Sequence, residues 1–441
     1  MIFSEPVIRV GILERATSLR GALRGTFASA QSSNLSGEFS VELTEDHLIL
    51  NSVGKKLTSP TEIRCTPAAN GSFALDEVTI GINFHWERKE RQEFRGTLVV
   101  RANPDETLTA INEIGVEDYL KSVISSEMSA EAPMELLKAQ AITSRSWLVA
   151  MLEREKRNVG VPSRRTFESK TEIVRWYDRE DHAEFDVCAD DHCQRYQGIT
   201  KIVSDAAGSA VDETRGVLLV HQDKVCDARF SKSCGGISER FENCWEPSPH
   251  PYLTSISDSR TPFAPINSEQ EAKKWTESSP RAFCNTADGN VIRQILPSFD
   301  QETTDFFRWK VSYAQAELAA LLQQKSRIDF GEVKNLVPLE RGPSGRIIKL
   351  KIDGTKRALL VGKELEIRRW LSPSHLHSSA FTVDGEAIKG GIPSRFTLRG
   401  AGWGHGVGLC QIGAAVMAAE GFAAEEIVKH YFRGTELRQM Y

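Results

Sequence analysis

Apolar and polar residues alternate in short runs from about Val7 to Asn112, as in VIRVGIL, FSVEL, HLILN and GTLVVRA. Glycine, asparagine and serine separate these runs. Alternation with a period of two is typical of short strands that bury one face. The pattern therefore predicts a β-rich N-terminal region over residues 1–112.

The pattern then changes to the spacing of helices. In VEDYLKSVISSEM, Tyr119, Val123 and Met128 fall near helical spacing, and two acids in the first turn complement the helix dipole. Pro133 suits the first position of a second helix, which we expect to run to about Arg157. The sequence thus predicts a short helix, a turn and a long helix.

Strands and helices are mixed in the rest of the chain. GVLLVHQDKVCDARFSKSCGG has strand character, YAQAELAALLQQ predicts a helix, RIIKLKIDG predicts part of a hairpin, and RFTLRG leads through a glycine-rich turn to a helix near Leu409. The expected fold class is α+β. A mixed core over residues 113–250 and 395–441 is interrupted by a smaller inserted α/β region over residues 251–394.

Charge and hydropathy exclude several classes of protein. The 441 residues carry 55 basic and 60 acidic side chains, a formal charge of -5, without a long block of one sign, which argues against a nucleic-acid partner bound through bulk charge. There is no apolar run long enough for a transmembrane segment. The start, MIFSEPVIRVGIL, lacks a basic region and contains Glu5, so it does not predict a secretory signal.

Two histidines and two cysteines occur close together in HAEFDVCADDHC, namely His182, Cys188, His192 and Cys193. Thiolates and imidazoles are ligands that suit zinc. Two interpretations remain open. One is a structural zinc site with a fourth ligand from elsewhere, and the other, in an oxidising compartment, is a disulfide between Cys188 and Cys193.

Glu127 lies where the first predicted helix ends. An isolated acidic residue at such a position is explained by the exposed end of a helix, without any functional role. Here small residues surround it, which leaves room for a substrate, and Lys138 and Arg145 share one face of the next helix.

Two further turns are candidates for ligand binding. In RGAGWGHGVG, glycine at every second position lets the backbone approach a ligand or another segment closely, and His405 lies within it. Too little chain follows for a dinucleotide-binding unit. In SCGGISERFENCWEP, Trp245 can stack on a sugar ring, while Glu239 and Glu242 can accept hydrogen bonds from hydroxyls.

In this order, the segments resemble the stage II sporulation protein D and LytB (amidase enhancer) family. VEDYLKSVISSEMSAEAPMELLKAQAITSRSW and LRGAGWGHGVGLCQIGAAVMAAEG carry most of the resemblance, with FDVCADDHCQRYQG, FSKSCGGISERFENCW and RGPSGRIIKLKIDG between them. The resemblance implies a peptidoglycan lytic transglycosylase that leaves 1,6-anhydro-MurNAc ends, with Glu127 as the single acid/base. The substrate's own C6 hydroxyl is the nucleophile, so neither a second carboxylate nor a cofactor is required.

The resemblance also implies the residues that bind glycan and metal. The expected substrate-binding residues are Lys138, Gln140, Arg145, Ser233, Glu239, Trp245, His405 and Gln411. Some members carry a structural zinc on a His-Cys-Cys pattern that His182, Cys188 and Cys193 resemble, although the last spacing is one residue shorter here. His192 is then a substitute ligand.

The family resemblance leaves two functions open, an enzyme and a non-catalytic peptidoglycan-binding module that enhances a partner amidase. Both imply glycan strands as partner and an extracytoplasmic location, in the periplasm or at the cell surface. The chain has Cys234 and Cys410 where the family commonly has serine. If the Cys-Gly-Gly segment and the C-terminal glycine-rich segment line one cleft, we expect the thiols of Cys234 and Cys410 to be in contact, and this contact can be a disulfide. Cys226 and Cys244 can form a pair in the same way.

Overall fold

The computed structural model describes residues 4–44, 47–82, 87–129, 131–157, 166–176, 182, 184–190, 192–202, 204–286, 288–289, 291–292 and 305–441. The chain forms two compact units. The first comprises Met1–Ala130, Arg179–Val217 and Gln439–Tyr441, and the second comprises Glu131–Asp178 and Leu218–Arg438.

The strands of the first unit confirm the predicted β-rich N-terminal region. Within the described residues they are β1 (Val7–Ala16), β2 (Ser18–Ser29), β3 (Ser32–Leu43), β4 (Leu48–Ser52), β5 (Lys55–Ser59), β6 (Glu62–Pro67), β7 (Ser72–Ile80), β8 (Arg88–Arg95), β9 (Thr97–Ala102), β10 (Leu108–Gly115) and β13 (Val187–Cys188). The two strands between β10 and β13 in the chain, β11 (Thr166–Glu168) and β12 (Glu172–Arg175), belong to the second unit.

These first-unit strands form one sheet in the order β13-β1-β10-β9-β6-β2-β3-β4-β5, with β7 paired to β2 and β8. β1 and β10 are antiparallel, with Val7 opposite Gly115, whereas β13 is parallel to β1, with Val10 opposite Val187. The alternating residues of the strands account for the burial of one face, as at Leu48 in β4.

The second unit continues the chain with shorter strands. They are β14 (Val217–His221), which begins at the last residue of the first unit, β15 (Lys224–Val225), β16 (Phe230–Ser231), β17 (Arg308–Ala314), β18 (Val333–Arg341), β19 (Ile347–Gly354), β20 (Ala358–Gly362), β21 (Phe381–Glu386), β22 (Arg395–Ala401), β23 (Leu409–Cys410) and β24 (Glu436–Gln439). The larger sheets have the orders β11-β12-β20-β19-β18 and β17-β22-β21, and β16 runs parallel to β23.

Helices complete both units, and the α+β prediction is confirmed. Among the described residues the α-helices are α1 (Val116–Glu127), α2 (Met134–Arg157), α3 (Asp205–Glu213), α4 (Phe241–Cys244), α5 (Glu269–Glu277), α6 (Gln315–Ser326), α7 (Glu364–Trp370), α8 (Gln411–Ala419) and α9 (Ala424–Tyr431), and a 3-10 helix spans Gly198–Lys201. In this part of the chain, no helix combines the length and the apolar character needed to cross a bilayer.

The structure divides the chain differently from the four predicted parts. Residues 113–130 belong to the same unit as the N-terminal sheet, because β10 leads directly into α1. The predicted insertion is not separate either. Its strands β17 and β21 flank β22, so it shares a sheet and a hydrophobic core with the C-terminal part. Runs of alternating apolar and polar residues predict strands, but they do not predict which strands pair when these are distant in sequence.

The glycine-rich turn between β22 and β23 depends on left-handed backbone. Gly406 has a φ of 74°, and a Cβ built there would lie 2.3 Å from Cζ of the buried Arg346. A Cβ at Gly408, with a φ of 73°, would lie 2.1 Å from the carbonyl oxygen of Arg229. Glycine is required at both positions, since the backbone conformation is left-handed and no space exists for a side chain.

We expect Gly406→Ala to destabilise the second unit more than Gly421→Ala. Gly421 is also left-handed, with a φ of 91°, but nothing lies within 4 Å of its added Cβ. Gly421→Ala should therefore cost about 1–2 kcal/mol of backbone strain. Gly406→Ala adds displacement of the Arg346 guanidinium from its buried hydrogen bonds, about 1–3 kcal/mol more. Urea unfolding of both variants measures the difference, and equal losses of unfolding free energy would contradict this account.

Candidate functional site

Glu127 is the last residue of α1. The helix ends there because Met128 adopts an extended conformation, with φ -119° and ψ 153°, while its N–H still bonds to the carbonyl of Ile124. The Glu127 side chain is 9% exposed, so most of it is covered by protein. The structure thus confirms that the helix ends at this acid, and it places the carboxyl at the edge of the first unit's interior.

A short segment after the His/Cys cluster runs along α1 and holds this end of the helix. The backbone N–H of Arg195 donates to Glu127 Oε1 at 3.4 Å, and the N–H of Gln197 donates to Ser122 Oγ at 3.2 Å. Both hydrogen bonds are buried. Backbone donors cannot change rotamer, so they fix the position of the Glu127 carboxyl relative to this segment.

Tyr196, between these two donors, anchors the segment in the core of the first unit. Its ring stacks on Tyr119 of α1 with centroids 5.0 Å apart, and its hydroxyl donates to Asn112 Oδ1 at 2.6 Å. Asn112 is itself buried in β10 and donates from Nδ2 to the carbonyl of Arg95 at 2.8 Å. Helix, segment and sheet are therefore joined at Tyr196.

The predicted metal ligands lie together in the same unit. The ligand atoms of His182, Cys188, His192 and Cys193 are all within 4.8 Å of one another. Cys193 Sγ is 3.5 Å from His182 Nε2 and 3.6 Å from His192 Nδ1, and Cys188 Sγ is 3.9 Å from the same His192 nitrogen. The structure brings His192 into the group as a full fourth member.

The chemistry of this donor set fits zinc. A tetrahedral site with bonds of about 2.0–2.3 Å separates its ligand atoms by roughly 3.3–3.8 Å, close to the distances above. The neighbouring Cys193, followed by His182 and His192, lowers the pKa of Cys188 to about 2, which favours the thiolate that ligates metal. No disulfide joins Cys188 and Cys193, so the disulfide interpretation is not the form seen here.

The His/Cys cluster is fixed to the N-terminal sheet and to the segment that holds Glu127. Cys188 belongs to β13, and the N–H of Ala189 donates to the carbonyl of Gly11 in β1 at 2.9 Å. The N–H of Tyr196 donates a hydrogen bond to the carbonyl of Ala189 at 2.9 Å, and this bond closes the loop. Three of the four candidate ligands thus lie within or beside a loop that ends one residue after Arg195.

The remaining predicted site residues belong to the second unit, and most of them are buried. Gln140, Arg145, Ser233, Glu239, Trp245 and Gln411 are all in its interior. Lys138 is partly exposed, and its Nζ lies 3.1 Å from Glu135 Oε1. Glu135 in turn accepts a hydrogen bond at 2.7 Å from the N–H of Ala424, the first residue of α9.

Trp245 packs inside the second unit. Its ring centroid lies 5.1 Å from that of Phe241 and 4.8 Å from that of His405, and the Arg229 Cζ lies 4.4 Å from the Trp245 centroid. The predicted stacking of a sugar on Trp245 would therefore require these neighbours to move. An aromatic residue beside acids in a turn predicts such stacking only if the turn is exposed.

His405 shapes the glycine-rich turn. Its Nδ1 accepts a hydrogen bond from the N–H of Val407 at 3.0 Å. Burial, with smaller effects from Arg229 and Arg346, holds the pKa of His405 well below its usual value, so the ring is neutral. A neutral ring that accepts from its own turn is suited to positioning that turn.

Glu239, predicted to accept hydrogen bonds from sugar hydroxyls, is fully buried, and protein groups occupy its carboxylate. It accepts instead from Ser344 Oγ at 2.6 Å, from Asn243 Nδ2 at 2.7 Å and from the N–H of Arg240 at 2.8 Å. Burial raises its pKa, while these hydrogen bonds oppose the rise. Glu239 therefore organises loops of the second unit.

Arg346 joins these loops, a role that its sequence position does not indicate. It donates from Nη1 to the carbonyl of Cys234 and to Ser344 Oγ, both at 3.1 Å, and from Nη2 to the carbonyl of Gly404 at 3.0 Å. A lone arginine in a turn carries no local signal. The alternating glycines of the turn between β22 and β23 are the feature that could have indicated a buried group here, because Gly406 leaves space for the Arg346 guanidinium.

Comparison with known proteins finds two family models that match separate parts of the chain. A model of the stage II sporulation protein (SpoIID) family matches residues 104–221, and a model of a domain of unknown function matches residues 239–408. An uncharacterized protein of Brachyspira hyodysenteriae is 28% identical over 78% of this chain and 72% of its own length.

Two named relatives agree with the SpoIID match. Stage II sporulation protein D of Bacillus amyloliquefaciens is 24% identical over 75% of this chain and 76% of its own length. The amidase enhancer of Bacillus subtilis is 24% identical over 72% of this chain and 40% of its own length. The SpoIID match includes Glu127, α1 and the His/Cys cluster. The SpoIID match over residues 104–221 and the two named relatives support the SpoIID/LytB family for this chain.

Proposed function

We propose that this protein is a peptidoglycan lytic transglycosylase in which Glu127 is the single acid/base. The observation that carries the proposal is the Glu127 carboxyl at the end of α1, where the residue is 9% exposed and the backbone N–H of Arg195 donates to the carboxyl. It lies within the region matched to the SpoIID family, which supports a role in the cell wall.

The reaction needs one carboxyl group in two successive states. As an acid, Glu127 donates a proton to the glycosidic oxygen while the bond to C1 of the muramoyl sugar breaks. As a carboxylate, it takes the proton of the C6 hydroxyl while that oxygen bonds to C1 and closes the anhydro ring. The sugar supplies its own nucleophile, so no second acidic residue has to activate water.

The Arg195 N–H is suited to both states. It engages Oε1, and in this mechanism the proton moves on and off Oε2. An N–H can donate to Oε1 whether the carboxyl is protonated at Oε2 or ionised. The hydrogen bond therefore keeps the carboxyl oriented through both proton transfers.

The His/Cys cluster has a structural role in this proposal. His182, Cys188, His192 and Cys193 would hold a zinc ion, which would tie the loop 188–196 to the sheet. The loop ends at Tyr196, directly after Arg195, so order in the loop sets the position of the N–H that contacts Glu127.

A second candidate function is a non-catalytic module that binds glycan for a partner amidase. The relative named amidase enhancer favours it. Both functions place the protein outside the cytoplasm, where glycan strands are found. They differ in whether Glu127 transfers protons, and this difference can be measured.

We expect Glu127→Gln to abolish the formation of anhydro ends on peptide-free glycan strands, with a loss of at least about 10²–10⁴-fold. Glutamine preserves the shape of the side chain but cannot donate and withdraw the proton. Mass spectrometry of the products measures the activity, and sedimentation with glycan measures binding, which should be retained. Glu131→Gln, a change at an exposed acid of the second unit, is the matched control.

Two outcomes would contradict the enzyme proposal. If Glu127→Gln cleaves as fast as the wild type, the acid is assigned to the wrong residue. If the wild type sediments with glycan and yields no new ends, the protein is a binding module.

We expect Cys188→Ser/Cys193→Ser to lose about one zinc ion per chain and to unfold at lower temperature, because the loop 188–196 loses its cross-link. Elemental analysis and thermal unfolding measure both effects. Cys65→Ser, at a buried thiol of β6 in the same unit, is the control and should keep the metal. Equal zinc content in the double variant and the control would contradict a zinc site at these residues.

A further inference from the structure

A second group of possible metal ligands lies in the interior of the other unit, and the proposed cell-wall function makes no use of it. It consists of Cys234, Asp258, Cys284 and Cys410, whose ligand atoms all lie within 4.8 Å of one another. All four residues are buried. We call this group the buried tetrad. Its members are far apart in sequence, so only the fold brings them together.

The distances within the buried tetrad suit a tetrahedral ion. The sulfurs of Cys234 and Cys284 are 3.7 Å apart, and zinc–sulfur bonds of about 2.3 Å place two sulfurs of a tetrahedral site about 3.8 Å apart. A disulfide requires about 2.05 Å, and all three cysteines are free thiols. The expected contact between Cys234 and Cys410 is present, as a hydrogen bond of 3.2 Å from the Cys234 N–H to Cys410 Sγ, without a covalent bond.

Asp258 is held in place by groups that leave it able to bind a cation. Tyr431 donates its hydroxyl proton to Oδ1 at 2.7 Å, and the N–H of Cys284 donates to Oδ2 at 3.0 Å. An ionised carboxylate has about four acceptor positions, so capacity remains. Fixed ligands with outer hydrogen bonds are typical of metal sites.

Helix α8 carries a glycine where it passes the buried tetrad. A Cβ at Gly413 would lie 2.6 Å from either carboxylate oxygen of Asp258 and 2.4 Å from the Tyr431 hydroxyl oxygen. Glycine within a helix costs about 1 kcal/mol relative to alanine. Here it lets the carboxylate and its hydrogen-bond donor approach the helix that begins directly after Cys410.

Two nitrogen-bearing side chains lie beside the buried tetrad. His430 Nε2 lies 3.9 Å from Asp258 Oδ1, and Arg308 donates from Nη1 to the carbonyl of Gly235 at 3.1 Å, beside Cys234. Buried thiols and a carboxyl group are costly to ionise one by one, but they become stable anions when they share a dication.

We propose that Cys234, Asp258, Cys284 and Cys410 bind a structural zinc ion, at a site separate from the His/Cys cluster. The ion would join the loop after β16, the segment around Asp258, the segment after α5 and the start of α8. It would therefore fix both ends of the region that Arg346 bridges, since Arg346 donates to the carbonyl of Cys234 and to the glycine-rich turn.

The test is metal content in a chain whose first cluster has been removed. Full-length protein with Cys188→Ser/Cys193→Ser, prepared under reducing conditions, should retain about one zinc ion per chain. Adding Cys284→Ser should remove that ion. The matched control adds Cys226→Ser, a fully buried thiol of the second unit outside the tetrad, and should keep it.

A second variant and a second measurement keep the test valid if the Cys284→Ser chain misfolds. Asp258→Asn keeps the shape of the side chain and should weaken zinc binding by at least about tenfold. Cobalt substitution should give thiolate-to-metal absorption in the background variant and in the Cys226→Ser control, and this absorption should disappear with Cys284→Ser.

Three results would overturn the inference. They are equal metal content in the Cys284→Ser and Cys226→Ser chains, no bound metal in the background variant, and a disulfide within the tetrad in the reduced preparation. All of these measurements are independent of glycan cleavage, so they separate the failure of this site from failure of the proposed activity.

Discussion

The position of one carboxyl depends on one backbone hydrogen bond, from the N–H of Arg195 to Glu127 Oε1. The helix α1 delivers Glu127 to its last position, but a helix end alone leaves a side chain free to change rotamer. The bond from Arg195 restricts it, and Tyr196 in turn fixes that segment by stacking on Tyr119 and bonding to Asn112. Local helix, packed core and proposed chemistry are linked through these few contacts.

Each unit also contains a compact group of thiols. The His/Cys cluster lies in the loop that leads to Arg195, and the buried tetrad lies between segments of the second unit that are distant in sequence. Loops with little core of their own are stabilised by cross-links, since a cross-link reduces the freedom of the unfolded chain. Both proposed zinc ions would act in this way, and neither is needed as a catalyst for a reaction in which the sugar attacks itself.

Local patterns predicted the parts of this protein that depend on local structure. Alternating runs gave the N-terminal strands, helical spacing and acids gave α1 and its end at Glu127, and closely spaced ligands gave the His/Cys cluster. Burial depends on distant packing, so the sequence could not show that Glu239 and Trp245 lie inside the second unit. Nor could it pair β17 and β21 with β22, and without that pairing residues 251–394 resemble a separate insertion.

The sequence also missed half of the buried tetrad. It led to Cys234 and Cys410 because both lie in recognisable motifs, whereas Asp258 and Cys284 lie in segments with no distinctive pattern. Only the fold shows that the N–H groups of Phe283 and Cys284 bond to Asp258 and so place Cys284 against Cys234.

In the proposed reaction the nucleophile is a sugar hydroxyl and not water. Digestion of peptide-free glycan strands in water enriched in oxygen-18 distinguishes the two directly, because a hydrolase must place one solvent oxygen on C1 of each new muramoyl end. The account predicts new muramoyl ends that are anhydro and carry no label. Ends that carry one labelled oxygen would contradict it.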